Sequence, residues 1–279
     1  MKTMNTLSGV TMPCLIYGTA WKKDKTADLV TTAVKCGFRG IDTACQPKHY
    51  HEAGVGEAIQ RLAGEGISRQ DLYIQTKFTP LNGQDPLDTP YDKRAPLSEQ
   101  VLQSFDVSKK NLDVAYVDGL VLHSPLENVE RTMIAWRAME QIYNVGGTKQ
   151  IGISNCYDLE VLKQLYAEAY IKPAVVQNRF YRDTGYDNEM RKWCKEQKIC
   201  YQSFWTLTAN PQILSSEIVL KAAHTYQKTT AQILFRVLVD EGIVPLTGTC
   251  SEKHMKEDLE IFHFDLPVSL RQEIASLFA

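Results

Sequence analysis

Residues 48–52, Lys-His-Tyr-His-Glu, place several chemically usable groups side by side. His49, His51 and Glu52 are metal-ligand types, whereas Tyr50 is a phenol able to give up a proton. The stretch therefore offers two chemistries, hydrolysis at a bound metal or proton transfer by a tyrosine. Three residues elsewhere bear on the choice. Asp42, Lys77 and His123 each close or follow a short apolar run, so an acid, an ammonium and an imidazole accompany the phenol. A free tyrosine, with a pKa near ~10, is a weak acid for protonating a developing alkoxide at neutral pH. A neighbouring ammonium favours the phenolate and lowers that pKa, which is the role expected of Lys77. Asp42 supplies the counter-charge that an ammonium away from water requires. His123 can hydrogen-bond and orient the reacting oxygen.

Such an array suits reversible carbonyl reduction, with hydride delivered to carbon and a proton to oxygen. No side chain supplies hydride, so a nicotinamide is required. Ser154, Asn155 and Gln177 are the hydroxyl and amide types that can grip its carboxamide, and Phe204 can stack on its ring. The metal alternative is weaker. Alternating histidines after a Pro-Lys turn do not share one rigid strand, and no bridging carboxylate for a second metal accompanies them. No metal site is assigned.

These residues need a scaffold that brings them together. Short apolar runs such as "CLIYG", "LYIQTKF", "VDGLVL" and "GIVPLTG" alternate with longer segments of helical spacing. Counting predicts eight strand–helix units, which in a chain of 279 residues matches a single-domain (β/α)8 TIM barrel over 1–279. A doubly wound open sheet is the alternative, but no G-x-G-x-x-G follows any of the runs. In a barrel of this kind the reactive groups gather at the carboxyl ends of the strands. Gly37, Gly66, Gly146 and Gly242 fall just past helical stretches, where a helix end favours a left-handed residue. The irregular segment 79–96, rich in Pro and Asp, is long enough to be a lid, a binding surface or a disordered stretch.

Composition narrows the setting. A formal net charge of −2 argues against general attraction to nucleic acid or anionic lipid, and no apolar stretch has membrane-spanning length. The start lacks the apolar region of a secretory signal. Seven cysteines without a C-x-x-C spacing suit reduced, mostly buried thiols in a cytoplasmic protein. Nothing in the pattern signals an obligate protein partner, so a monomer is expected.

The chain resembles the aldo-keto reductases over nearly its whole length. "GFRGIDTA", "EAGVGEAI", "LYIQTKF", "VDGLVLHSP", "IGISN" and "VVQNRF" match that family's motifs in order and separation. The resemblance implies a barrel that reduces small-molecule aldehydes or ketones with NAD(P)H. The family's catalytic tetrad falls on Asp42, Tyr50, Lys77 and His123, with Tyr50 as general acid. Its cofactor contacts fall on Ser154, Asn155, Gln177, Phe204 and Leu207.

Three departures accompany the likeness. The segment leading to Tyr50 is two residues longer than usual, around Pro47 and Lys48. At the phosphate end Leu246 stands where the family has a lysine. There Thr247, Gly248, Thr249, Lys253 and His254 are the groups left for phosphate oxygens, with Glu257 and Asp258 aligned to the adenine contacts. NADP(H) is favoured and NAD(H) is the alternative. The third departure is a short chain after His123, which leaves a pocket walled by Trp21, His49, Tyr181 and Trp205 that would suit an apolar carbonyl compound. A non-catalytic nucleotide-binding barrel is the rival reading, opposed by the presence of all four tetrad types.

Overall fold

The computed structural model describes residues 2–279. Its strands are β1 (Thr3–Asn5), β2 (Thr11–Pro13), β3 (Ile16–Gly18), β4 (Gly40–Asp42), β5 (Tyr73–Phe78), β6 (Gly119–Leu122), β7 (Ile151–Ser154), β8 (Val175–Arg179), β9 (Cys200–Phe204) and β10 (Ile243–Thr247). Strands β3 to β10 pair in parallel and close into a barrel, with β10 bonded to both β9 and β3. Buried on both faces, such strands must be short and nearly continuous in apolar residues, which is why the runs in the sequence reveal them. The eight-unit expectation holds. The four glycines expected at helix ends all have positive φ. Five of the seven cysteines are buried, and none is disulfide-bonded.

Between strands and helices lies the main core, with Trp136, Phe38, Phe235 and Phe180 fully buried. The barrel interior is different. Side chains two apart share a face, so Gln75 and Lys77 of β5 both point inward, as do Gln177 of β8 and Gln202 of β9. The Gln75 amide donates to Asp42 Oδ1 at 2.8 Å and to Gln202 Oε1 at 2.9 Å, and the Gln177 amide donates to the same two oxygens at 3.0 and 2.9 Å. Buried amides are tolerable only when paired, and these pair with one another.

Beneath this layer the antiparallel hairpin of β1 and β2 closes the floor of the barrel. The sequence carries no strand signal there, because each strand of the hairpin is only three residues long. Thr6, in the hairpin turn, donates to Gln150 Oε1 at 2.5 Å; the Gln150 amide donates to Tyr73 Oη at 2.9 Å, and Tyr73 donates to Gln75 Oε1 at 2.8 Å. A hydrogen-bonded chain therefore runs from the floor to Asp42.

The 79–96 segment is folded. Tyr91 is buried and donates to the Thr79 carbonyl at 2.8 Å, while the Gln84 amide donates to the Cys45 carbonyl at 2.9 Å and to the Thr79 carbonyl at 3.2 Å. The segment joins the end of β5 to the loop after β4. Among the described residues no helix is long and apolar enough to cross a membrane.

The helices Glu52–Ala63 and Leu97–Leu112 touch through Gly56, where an added Cβ would collide with the Asn111 carbonyl oxygen and come within 2.9 Å of the Leu112 carbonyl carbon. Both are backbone atoms and cannot turn aside. Gly56→Ala is expected to lower unfolding free energy by about 1–3 kcal/mol. Urea unfolding checks this; an unchanged midpoint would mean the two helices separate freely.

Candidate active site

The deepest charged residue is Lys77, 1% exposed. Its ammonium donates to Asp42 Oδ2 at 2.6 Å and to the Thr43 carbonyl at 2.9 Å. Asp42 sits one strand away because β4 and β5 pair in register, and its other oxygen takes the two glutamine amides. Burial pulls the Lys77 pKa down, and the Asp42 carboxylate opposes that.

Tyr50 lies over this pair, with the Lys77 ammonium 5.2 Å from its ring centroid. The His123 ring meets it edge-on at 6.0 Å. The two additional residues before it form a single helical turn: the backbone N–H groups of His49 and Tyr50 both donate to the Gln46 carbonyl, at 3.0 and 2.9 Å. The Gln46 side chain then ties that turn to the Gly83 carbonyl at 2.6 Å, within the 79–96 segment. The lengthened loop thus coils rather than bulges, and Tyr50 arrives beside Lys77 and His123. All four tetrad candidates come together.

One electrostatic expectation reverses. The Tyr50 phenol is pushed above its ordinary pKa, first by burial and then by the Asp42 charge. The ammonium of Lys77 is matched by a carboxylate 2.6 Å away, so little net positive field is left to oppose desolvation. His123 is held well below its usual pKa by burial and by Lys77, so it is neutral. Its Nδ1 lies 2.6 Å from the Thr79 hydroxyl. With that hydroxyl donating, Nε2 carries the hydrogen and is the nitrogen available to a reacting oxygen. Thr79 was absent from the sequence reading; only its position two residues beyond Lys77 on an inward-facing register pointed to it.

Among the described residues no three His, Cys, Asp or Glu side chains gather as a metal site. His49 instead pairs its Nδ1 with Gln46 Oε1 at 2.9 Å and stacks on Trp21 at 4.0 Å between centroids. Glu52 turns inward, accepting from Thr76, Ser108 and Asn111.

The nicotinamide candidates fit an amide-bearing ring. Gln177 Oε1 accepts no hydrogen bond among the described residues, and Asn155, at a left-handed φ of 51°, directs its amide to the His123 carbonyl at 2.8 Å. Ser154 donates to the Gln177 carbonyl at 2.6 Å, which fixes the two strand ends together. Phe204 is half-buried on the end of β9, and Leu207 packs against the core just after it. Two neighbours from the strand ends point elsewhere: Asn178 donates to the Cys156 carbonyl and to Asp187, and Ser203 accepts from Thr206.

The phosphate-end candidates divide. Gly248 and Thr249 lie on the open loop after β10, whereas Thr247 donates to Asp258 at 2.7 Å and both are buried. Burial lifts the Asp258 carboxyl to about 6. This pair spends its side chains on each other. Lys253 is exposed and 3.6 Å from Glu257, and His254 is exposed, both on the first turn of Glu252–Leu259. The residue that sequence missed is Lys22. It is 6% exposed and donates to the Gly248 carbonyl at 2.7 Å, bridging the loops after β3 and β10. Within "KKDK" it reads as one of a solvated run, and only the fold buries it.

Left-handed backbone clusters at this mouth. Trp21 (φ 65°), Asn155 (φ 51°) and Trp205 (φ 56°) each follow a barrel strand. Bulky residues seldom adopt this conformation, and such strain concentrates where function holds it. Trp21 and Trp205 are 58% and 48% exposed, so core packing does not account for them. Tyr181 lies near Trp205 across the β8 and β9 loops, with Arg179 between them.

Comparison with known proteins identifies the family. The family model described as the Aldo/keto reductase family matches residues 15–278. An uncharacterized oxidoreductase of Bacillus subtilis, YtbE, is 33% identical over 93% of this chain and 86% of its own length. The glyoxal reductase of Bacillus subtilis is 30% identical over 95% of this chain and 88% of its own. A crystal structure of an aldo/keto reductase from Brucella melitensis superposes with a TM-score of 0.83 at 28% identity, covering 99% of each chain. The chain belongs to the aldo/keto reductase family and is an NAD(P)H-dependent oxidoreductase.

Proposed function

We propose that this protein reduces a small aldehyde or ketone with NADPH, and oxidises the corresponding alcohol in reverse, with Tyr50 as the proton donor. The observation that carries the reading is the convergence of Tyr50 and His123 over the buried Lys77–Asp42 pair. Bound nicotinamide supplies the hydride. The residues supply the rest. His123 Nε2–H and the Tyr50 hydroxyl bind and polarise the carbonyl oxygen, and the Tyr50 proton passes to that oxygen as it becomes an alkoxide. The phenolate left behind faces the Lys77 ammonium, and solvent restores its proton. A phenol held above its usual pKa is fully protonated before each reduction, and an alkoxide is basic enough to take that proton.

NADPH over NADH is supported by the basic groups around the loop after β10. Lys22 has hydrogens beyond the one given to Gly248, and Lys253 and His254 stand free enough to meet a 2′-phosphate. Ser154, Asn155 and Gln177 would hold the carboxamide, Phe204 and Leu207 the ring and its linkage, and Gly248 and Thr249 the phosphate oxygens. Lys256 pairs with Glu252 at 2.6 Å and is a solvated helix face.

Tyr50→Phe is expected to cut kcat for reduction by about 10²–10⁴-fold while NADPH still quenches protein fluorescence with native affinity. Native turnover in that variant would remove Tyr50 from the mechanism. Because burial raises the phenol and lowers the imidazole, neither changes protonation near neutrality, so kcat for reduction should stay flat from about pH 6 to 9. A rate falling through the middle of that window would assign the proton to another group. Equilibrium titration with both cofactors tests the third point: tighter binding of NADPH than of NADH by about tenfold or more is expected, lost on Lys253→Ala with His254→Ala. Equal affinities would overturn the preference.

A further inference from the structure

Arg179, the last residue of β8, has an unusual setting. Its guanidinium carbon lies 4.0 Å from the Trp205 ring centroid and 4.9 Å from that of Tyr181, so aromatic rings flank the planar group. No carboxylate lies within 4 Å of it, and its side chain has no hydrogen-bond acceptor among the described residues. Its Nε is buried and unpartnered. Rings satisfy the faces of a guanidinium, but its N–H donors lie in the plane and point out of the edge. A charged edge left without an acceptor is costly unless something else arrives to accept.

The position is informative. Arg179 is two residues beyond Gln177 on the same strand, so both leave from the same face and Arg179 is about 7 Å nearer the mouth. Its backbone N–H donates to the Tyr157 hydroxyl at 3.2 Å, and that hydroxyl donates to Asn155 Oδ1 at 3.2 Å. The Arg179 backbone is thus linked to Asn155 through the Tyr157 side chain, while the guanidinium itself stays unpartnered. It opens on a pocket of about 430 Å³ lined by Arg179, Tyr181, Arg182, Asp183, Ala209 and Gln212. Arg182 adds a second positive charge there. Asp183 makes no ion pair with either arginine.

We infer that Arg179 is a specificity-determining residue that binds an anionic group of the substrate, so that the preferred carbonyl compounds carry a carboxylate or a phosphate ester. The inference rests on the reductase reading and revises the apolar substrate expected from the aromatic walls alone. Trp205 and Tyr181 hold the guanidinium flat, so its edge offers the parallel N–H pair that a carboxylate takes in bidentate fashion. The strained φ of Trp205 is then the backbone conformation that sets the ring against Arg179. The same edge could serve the cofactor's pyrophosphate, since Ala209 belongs to the loop after β9; the substrate group is the assignment because four of the six lining residues, 179 and 181–183, belong to β8 and the loop after it.

The test compares 4-carboxybenzaldehyde with benzaldehyde under NADPH, in the native protein and in Arg179→Met, which keeps length and packing without charge. A second readout is benzoate binding to the NADP⁺ complex, followed by tryptophan fluorescence. The native protein should favour the carboxylate in kcat/KM by about tenfold; Arg179→Met should erase that ratio, chiefly through KM, and weaken benzoate about tenfold. Arg179→Lys should recover part of both. An unchanged ratio and unchanged benzoate affinity would make the stack simple packing and overturn the inference. Equal losses for both aldehydes together with weaker NADPH binding would assign the guanidinium to the cofactor and overturn it as well. If neither aldehyde is reduced but benzoate binding depends on Arg179, the anion site stands while the reductase reading fails.

Discussion

Lys77 and Asp42 are held out of water together, and neither could stay charged there alone. Their 2.6 Å contact is the constraint that the rest of the site answers. Each remaining lone pair and hydrogen must find a partner in the barrel interior, and the strands supply them: the Thr43 carbonyl for Lys77, and the amides of Gln75 and Gln177 for Asp42. Because the pair neutralises itself, it works on Tyr50 as a dipole rather than as a cation. Burial then raises the phenol largely unopposed, with the Asp42 charge adding to the rise.

The candidate tetrad comes from two strands and two loops, and hydrogen bonds make the positions of the loop members interdependent. Gln46 grips Gly83, Gln84 grips Cys45 and Thr79, Tyr91 grips Thr79, and Thr79 meets His123. The long segment after β5 is therefore a brace between the turn that carries Tyr50 and the residue that orients His123. A loop made longer by two residues can still deliver its tyrosine, because the added length is wound into a turn and pinned at its start.

The barrel was legible because doubly buried strands must be apolar and short; three of the four tetrad candidates stood out because they close or follow such strands, whereas Tyr50 lies in the loop after β4. The limits have physical causes too. The floor hairpin has three-residue strands whose stability comes from what lies above them, so no local pattern announces them. Lys22 is one of a charged run and Arg179 a lone charge at a strand end, and only the fold shows that one is buried and the other lies against two rings. Trp205 was visible as a pocket wall, but its partner was not, since Arg179 is 26 positions earlier and meets it only through the pairing of β8 with β9. The direction of the Tyr50 shift was misread because a sequence shows which charges are near and not how fully they cancel.

The chain of side chains rising from the floor has a polarity. Thr6 gives to Gln150, Gln150 to Tyr73, Tyr73 to Gln75, and Gln75 to Asp42, every donor facing upward. An amide can be turned end for end at little cost in shape, so nothing in Gln75 or Gln150 by itself chooses this sense. An ionised carboxylate can only accept, and it selects the sense for the whole column. Asp42 acts as a ratchet pawl for the dipoles down to the barrel floor, and their aligned positive ends in turn make its negative charge cheaper to keep.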